Sequence, residues 1–341
     1  MISTPIIDQL HRPLRDLRIS VIDRCNFRCT YCMPSEKYSH KYKFLDKDQW
    51  LQFGEIIRLV RIFVGLGVKK VRLTGGEPLL RPNLDKLVCE LKKIDGIEDL
   101  ALTTNGSLLG EQAQRLYDAG LDRLTVSVDS LDDRVSRQMN GERAHIETIL
   151  SGIAAAQKAG FRSIKINVVV QKNVNDQSLL DLVRYFKSHG HAVRFIEYMD
   201  VGNQNHWEEK YVVPSAEILN IIEQEFPLKP VKENYRGEVA ERYAFADGAG
   251  EVGFISSVTQ PFCGDCTRLR LSAEGKMYTC LFASTGTDLR ELLRNNVSDD
   301  QLLALISSVW TKRTDRYSQQ RATLQPQERL LPKVEMYHIG G

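Results

Sequence analysis

The chain has 341 residues, and its 46 Lys and Arg nearly cancel its 44 Asp and Glu, leaving a formal net charge of +2. That balance excludes a surface built wholesale for nucleic acid or an anionic membrane, so any polyanion site must be a local cluster. "MISTPIIDQLHRPLRDLR" lacks a signal-peptide core and no apolar run approaches the ~18 residues of a membrane span, so a soluble, cytoplasmic protein of about two domains is expected.

In chain order, "LRISVI" (17–22) predicts a first strand and residues 47–66 a helix. "KKVRLTG" (69–75) precedes a helix near 83–95, and "DLALTTN" (99–105) one near 110–119. "RLTVSVDS" (123–130) leads to a helix near 145–159, and "SIKINVVV" (163–170) to one near 176–189. "AVRFIEYM" (192–199) completes six β/α steps, with Gly65, Gly67, Gly120 and Gly160 standing where helices should stop. Such alternation argues for a parallel sheet with helical crossovers, either an open doubly wound sheet or a barrel.

The pattern within the strands chooses between them. Leu17, Ile19 and Val21 share one face, and Arg18 and Ser20 the other; Val71 and Leu73 oppose Arg72 and Thr74. Val126 and Val128 oppose Thr125, Ser127 and Asp129, while Ile164, Ile166 and Val168 oppose Lys165 and Asn167. A sheet covered on both faces should read as continuous apolar runs. One repeatedly polar face predicts instead an incomplete six-stranded (β/α)6 TIM-type barrel with a polar lumen, over residues 1–200. After that the rhythm stops. A C-terminal α+β extension over 201–341 is expected, with a helix near 214–226, a Pro/Lys-rich link "FPLKPVKENY", and a hairpin turning at "DGAG". Helices near 287–294 and 299–313 follow, and then an irregular tail.

Six of the seven cysteines fall into two triplets: Cys25, Cys29, Cys32 and Cys263, Cys266, Cys280. Cys89 sits at an apolar position of a helical pattern and reads as a small buried hydrophobe. Without a secretory signal a disulfide framework is not expected. "CNFRCTYC" has the spacing Cys-x3-Cys-x2-Cys at the C-terminal end of a strand, where parallel α/β folds keep their chemistry. Zinc would want a fourth ligand, and His40 is poorly placed to provide it. An iron–sulfur cube held by three thiolates leaves one iron free to bind something else. The second triplet again has three ligands, and fits either a zinc knuckle completed by a remote residue or a second cube with an open iron.

The first motif, with an aromatic before its third cysteine, resembles the radical S-adenosylmethionine superfamily. The resemblance implies that the open iron binds the amino and carboxylate groups of S-adenosylmethionine, whose cleavage gives methionine and a 5′-deoxyadenosyl radical. It implies that Tyr31 lies by the adenine through its main chain and that Gly76 in "TGGEP" (74–78) receives the methionine amino group. Ser127 and Met199 match further contacts to that cofactor.

Arg18, Arg72 and Lys165 come from three different strands of the polar face, and "TRLRLS" puts Arg268 and Arg270 on one side of an extended segment. Together they suggest a pocket for a multiply charged anion such as a triphosphate. With "RLTGGEPLLR", "KINVVVQKNVND", "FCGDCTRLRLSAEGKMYTCLF" and the terminal "IGG", the chain closely resembles the GTP 3′,8-cyclase family of molybdenum cofactor biosynthesis over nearly its whole length. The resemblance implies two [4Fe-4S] clusters, with guanine on the open iron of the second. It assigns the nucleotide to Arg18, Arg72, Thr103, Lys165, Arg268 and Arg270. It implies removal of the ribose 3′ hydrogen and closure of a C3′–C8 bond, with Gly340 and Gly341 entering the pocket to position GTP as the catalytic contribution of the tail. An electron donor, hand-over of product to cyclic pyranopterin monophosphate synthase, and an assembly compatible with a homodimer complete the expectation, with no nucleic-acid or membrane partner. A peptide-modifying radical enzyme and a non-catalytic zinc protein are the competing readings.

Overall fold

The computed structural model describes residues 5–321, 323–324 and 332–340. Six strands, β1 (Asp16–Ser20), β2 (Lys70–Thr74), β3 (Asp99–Thr104), β4 (Arg123–Ser127), β5 (Lys165–Val170) and β6 (Ala192–Glu197), pair in parallel in sequence order. Helices α1 (Phe53–Gly65), α2 (Leu84–Lys92), α3 (Leu109–Asp118), α5 (Ile146–Ala159) and α6 (Leu179–Ser188) make the crossovers, with the short α4 (Asp133–Asn140) lying before α5. The apolar strand positions face these helices: Leu17, Ile19, Val71, Leu73, Val126 and Ile166 are almost wholly buried among Leu59, Phe63, Leu87 and Leu91. Burial of this kind contributes about 1.5–3 kcal/mol per large side chain and is what holds the layers together.

Helix α4 escapes sequence reading because "DRVSRQMN" has only two apolar residues and no stripe to bury. It is set by its cap instead. The Asp132 side chain accepts from the N–H groups of Arg134 and Val135, and Gly141 ends the helix at φ +74°. A Cβ on Gly141 would stand 2.4 Å from the Arg28 carbonyl, so that approach requires glycine. The last turn then takes the N–H groups of Arg28 and Thr30 on the carbonyls of Asn140 and Met139. A helix marked by its end signals rather than by an apolar stripe thus pins the first cysteine loop.

The C-terminal part has α7 (Ser215–Glu223), β7 (Leu228–Val231), β8 (Glu241–Phe245), β9 (Glu251–Ile255), β10 (Arg268–Leu271), β11 (Lys276–Tyr278) and β12 (Thr287–Asp288). Helices α8 (Arg290–Arg294), α9 (Asp299–Thr311), α10 (Tyr317–Gln320) and α11 (Met336–Ile339) follow. These strands continue the barrel sheet at both edges, in the order β12-β11-β10-β1-β2-β3-β4-β5-β6-β9-β8-β7. β10 runs parallel to β1 and β9 parallel to β6, so the connection 256–267 crosses the open side of the barrel. The expected hairpin is present as β8 and β9. The link read as a connection contains β7, with Pro230 tolerated because that strand lies at the sheet's end. The tail, read as irregular, carries α10 and α11. Cys89 is half-buried rather than buried. Among the described residues no helix is long and apolar enough to cross a membrane.

A buried ionic knot joins the chain's start to the second cysteine loop. Arg12 and Asp8 pair at 2.6 Å with both side chains fully buried, and Arg313 reaches the same carboxylate at 3.5 Å. Arg12 also donates to the carbonyls of Cys263 and Asp315, and Arg313 to the carbonyl of Cys266. Asp8→Ala leaves two buried guanidinium groups without their shared carboxylate, a loss of about 3–5 kcal/mol. The urea or thermal midpoint of that variant should drop accordingly, and an unchanged midpoint would show that the knot does not hold the fold.

Candidate active site

The first cysteine loop leaves β1 and runs against the loop after β2. Gly76 N–H donates to the Ile22 carbonyl at 2.8 Å and Glu77 N–H to that of Arg24 at 2.8 Å. A Cβ on Gly76 would lie 2.2 Å from the Arg24 carbonyl oxygen and 2.9 Å from the Cys25 nitrogen. Only glycine lets the two loops close to this distance. Arg28 braces the cysteine loop from inside, donating to the carbonyls of Cys25, Phe27 and Tyr38. N–H groups already point at sulfur: Phe27 donates to Cys25 at 3.3 Å, and the backbone N–H of Tyr337 donates to Cys32.

Ionisation of these thiols is resisted. Burial, then the charge of Glu77, pushes Cys25 up to about 12, and burial drives Cys29 and Cys32 upward as well. Arg28 is the cation that favours the Cys25 thiolate, and it does not outweigh burial, so the three half-buried thiols call for a metal partner carrying positive charge, which fits a cluster ligand set. Glu77 is itself raised to about 7 by burial, against hydrogen bonds from Asn105, Thr104 and Leu79. Tyr31 donates its hydroxyl to Asp129 at 2.7 Å, and burial raises Asp129 to about 6.

The second triplet sits at the other end of the strands. Cys263 and Cys266 precede β10, where Arg268 is level with Asp16 at the start of β1. Cys280 follows β11, which runs antiparallel to β10 from Tyr278 opposite Arg270. The electrostatics there are reversed. Burial opposes ionisation of Cys266, yet Arg268, Arg313 and Arg270 outweigh it and bring the thiol down to about 5. Arg313 donates to the Cys266 sulfur at 3.4 Å. Cys280 is held up at about 11 by burial and then by Asp315.

Between the triplets lies a cavity of about 340 Å³ lined by all six cysteines. The same wall contains Tyr31, Gly76, Ser127 and Met199, and also Arg18, Arg72, Thr103, Arg268 and Arg270. Strand register puts Arg270, Arg18 and Arg72 side by side on three adjacent strands. Burial, then Arg270, Arg268 and Arg72, lowers Arg18 well below an ordinary guanidinium. Arg72 donates to the Thr103 and Thr125 hydroxyls at 2.8 and 3.0 Å, and the buried Nε atoms of Arg268 and Arg270 have no hydrogen-bond partner among the described residues. An anion with several oxygens is what such a wall lacks.

Two expected residues stand apart. Lys165 shares the lumen side of β5 with Asn167 but is not part of the cavity wall; burial, then Arg194, Arg123 and Lys70, brings it down to about 7. Gly340, at φ +74°, is outside that wall too, with its Cβ position 2.5 Å from the Thr74 side chain, while its neighbours Met336 and Tyr337 line the cavity. Gly341 lies outside the described residues. Sequence reading missed Lys70, Arg194, Tyr235 and Arg313, all in the wall. Lys70 was findable, because it shares the polar face of its strand with Arg72 and Thr74, whereas Arg194 stands between Ala192 and Ile196 on a face that reads as apolar. Arg313 and Tyr235 come from irregular segments without periodicity.

The description "Radical SAM superfamily" matches residues 19–186, and "Molybdenum Cofactor Synthesis C" matches 191–319. The GTP 3′,8-cyclase of Xanthomonas campestris pv. campestris (strain 8004) is 53% identical over 339 residues, covering 99% of this chain and 98% of the relative. That of Staphylococcus saprophyticus is 48% identical over 337 residues, covering 98% and 99%. Among solved structures, Streptococcus suis SuiB bound to S-adenosylmethionine superposes with a TM-score of 0.61 at 15% identity, over 94% of this chain and 72% of that one. Methylornithine synthase (PylB) gives 0.52 at 15%, over 92% and 86%. These two show a shared fold. The full-length identities show more: the chain belongs to the GTP 3′,8-cyclase family of radical S-adenosylmethionine enzymes.

Proposed function

We propose that this chain converts GTP to 3′,8-cyclo-7,8-dihydroguanosine triphosphate in a lumen with a cluster at each end. The observation that carries the reading is the cavity that joins two cysteine triplets along a row of arginines. Superfamily membership implies one [4Fe-4S] cluster and S-adenosylmethionine; the second cluster is part of the proposal. Cys25, Cys29 and Cys32 would hold the first, with Tyr31, Gly76, Ser127 and Met199 around the cofactor. Cys263, Cys266 and Cys280 would hold the second, with one iron left open to the guanine base. When bound, the first cluster and S-adenosylmethionine supply a 5′-deoxyadenosyl radical for the ribose 3′ hydrogen.

The chain's own part is placement. Arg18, Arg72, Arg268 and Arg270, with Thr103, hold the triphosphate, while Lys165 acts from beside the wall. Fixing both reactants within one cavity replaces a bimolecular encounter by an oriented one. Enclosure by the sheet and by the 256–267 crossing keeps water from the reactive carbon. The terminal Gly340 and Gly341 complete the substrate's position, supported by the proximity of α11 to the ends of β1 and β2. Product then passes to cyclic pyranopterin monophosphate synthase.

A zinc protein or a peptide-modifying enzyme leaves the arginine row without a role. Among the described residues no three His, Cys, Asp or Glu side chains gather as one metal ion requires. A cube spreads its three thiolates over three irons, which needs no such crowding.

Three outcomes test the proposal. Cys29→Ser should abolish S-adenosylmethionine cleavage, whereas Cys266→Ser should chiefly damage GTP binding and cyclisation. Iron and acid-labile sulfide should be roughly halved in each, and stoichiometric zinc without sulfide would overturn the reading. Arg268→Ala or Arg270→Ala should each weaken GTP binding by about 1.5–3 kcal/mol, roughly tenfold or more in Kd. Lysine should restore this only in part because it cannot fork onto two oxygens, and an unchanged Kd in the double alanine variant would refute the phosphate assignment. Deleting Gly340 and Gly341 should spare iron content and S-adenosylmethionine cleavage yet lower cyclised product by about 100-fold; full-rate product would remove the tail from the site.

A further inference from the structure

The loop between the first cysteine triplet and α1 has a use that the reaction in the cavity does not absorb. Lys37, His40, Lys41, Lys43 and Lys47 are all exposed within it, against exposed Glu36, Asp46 and Asp48. Among the described residues none of these four lysines pairs with a carboxylate. Exposed Arg143 adds to the same side, close enough to Arg28 to act on its charge, and Arg28 lies beneath the loop with its guanidinium 5.9 Å from the Phe44 ring. The loop carries a small net positive charge, and its stretch from Lys37 to Lys43 contains no acid.

Beneath the lysines lies a single layer of rings. Tyr42 is 39% exposed, an uncommon degree for a large apolar side chain here. Its ring stands 4.7 Å from that of Tyr38 and 4.8 Å from that of Phe44, and its hydroxyl is 2.8 Å from that of Tyr337. Tyr337 is buried, packs in the cluster that touches Cys25 and Cys32, and gives its backbone N–H to the Cys32 sulfur. Two hydrogen bonds, with Tyr337 between them, therefore separate solvent-facing Tyr42 from a cysteine of the triplet. On the other side the triplet faces the cavity, which cofactor and substrate fill during turnover. An electron has to arrive from outside.

We propose that residues 37–47 form the docking surface for a small acidic one-electron carrier protein. The proposal rests on the reading of Cys25, Cys29 and Cys32 as holders of a reducible cluster. One electron leaves the carrier, which is oxidised by one equivalent, and enters that cluster, which is reduced by one; no bond of the chain breaks. Complementary charge steers the encounter and sets its orientation, so the effect falls with salt.

The test uses the reconstituted holoenzyme without oxygen, a flavodoxin as the carrier and dithionite as a small reductant that needs no docking. In the triple variant Lys37→Glu, Lys41→Glu, Lys43→Glu, flavodoxin affinity measured by calorimetry at low salt should fall at least tenfold. Flavodoxin-driven release of 5′-deoxyadenosine should fall with it, and dithionite-driven release should stay at the parental rate. The corresponding triple arginine variant should bind flavodoxin like the parent. Unchanged flavodoxin affinity in the glutamate variant overturns the proposal, as does an equal loss with both reductants. No cleavage by the parent with dithionite would instead overturn the cluster reading beneath it.

Discussion

The structure turns on three like charges set side by side. Arg270, Arg18 and Arg72 occupy matching positions on β10, β1 and β2, facing a buried lumen. Like charges directly opposite on neighbouring strands are destabilising, and burial sharpens the effect. A fold keeps such a row only where something else supplies the negative charge. The hydroxyls of Thr103 and Thr125 give Arg72 neutral partners, and at Arg18 the opposing charge of Asp16 is outweighed by burial and by the neighbouring arginines. On the proposed reading the triphosphate relieves this repulsion, so the site is electrostatically prepared before its ligand arrives.

That row exists because of a pairing the chain makes across some 250 residues. Strand β10 lies beside β1, so a segment following the second cysteine pair becomes a wall of the first domain's barrel. The connection places Cys263 and Cys266 at the N-terminal rim, opposite the rim that carries Cys25. Barrels of this kind do their chemistry at the C-terminal rim and fill the interior with side chains. Here polar residues leave the interior open, and its whole depth becomes one chamber. The buried Asp8–Arg12–Arg313 knot fastens the lower rim from beneath, through the carbonyls of Cys263 and Cys266.

Local pattern made much of this readable. Alternation at Arg18, Ser20, Arg72, Thr74, Thr125 and Ser127 announces a polar lumen because a strand's period of two assigns faces without knowing its partners. The two triplets were equally plain, since ligand spacing is a local property. Pairing between distant segments is not local, and nothing in "TRLRL" says that it lies next to β1. Helix α4 was silent because its cap and glycine, not an apolar stripe, define it. Lys165 was assigned from the face it shares with Asn167; it is level with Thr125, which lines the cavity, yet it is not itself part of the wall, a distinction that alternation does not encode.

The two ends of the chamber also differ in sign, and this sorts its two ligands. Around the first triplet stand Glu77 and Asp129, and the thiols there resist ionisation. Around the second stand Arg268, Arg270 and Arg313, which bring the Cys266 thiol down, although Cys280 beside Asp315 is held up. S-adenosylmethionine carries a sulfonium cation; GTP carries a triphosphate. On the proposed reading each is drawn to the end whose field opposes its own charge, and each is repelled from the other. Two cysteine triplets of similar ligand count therefore need not compete for the same molecule, because the side chains around them have already made the choice.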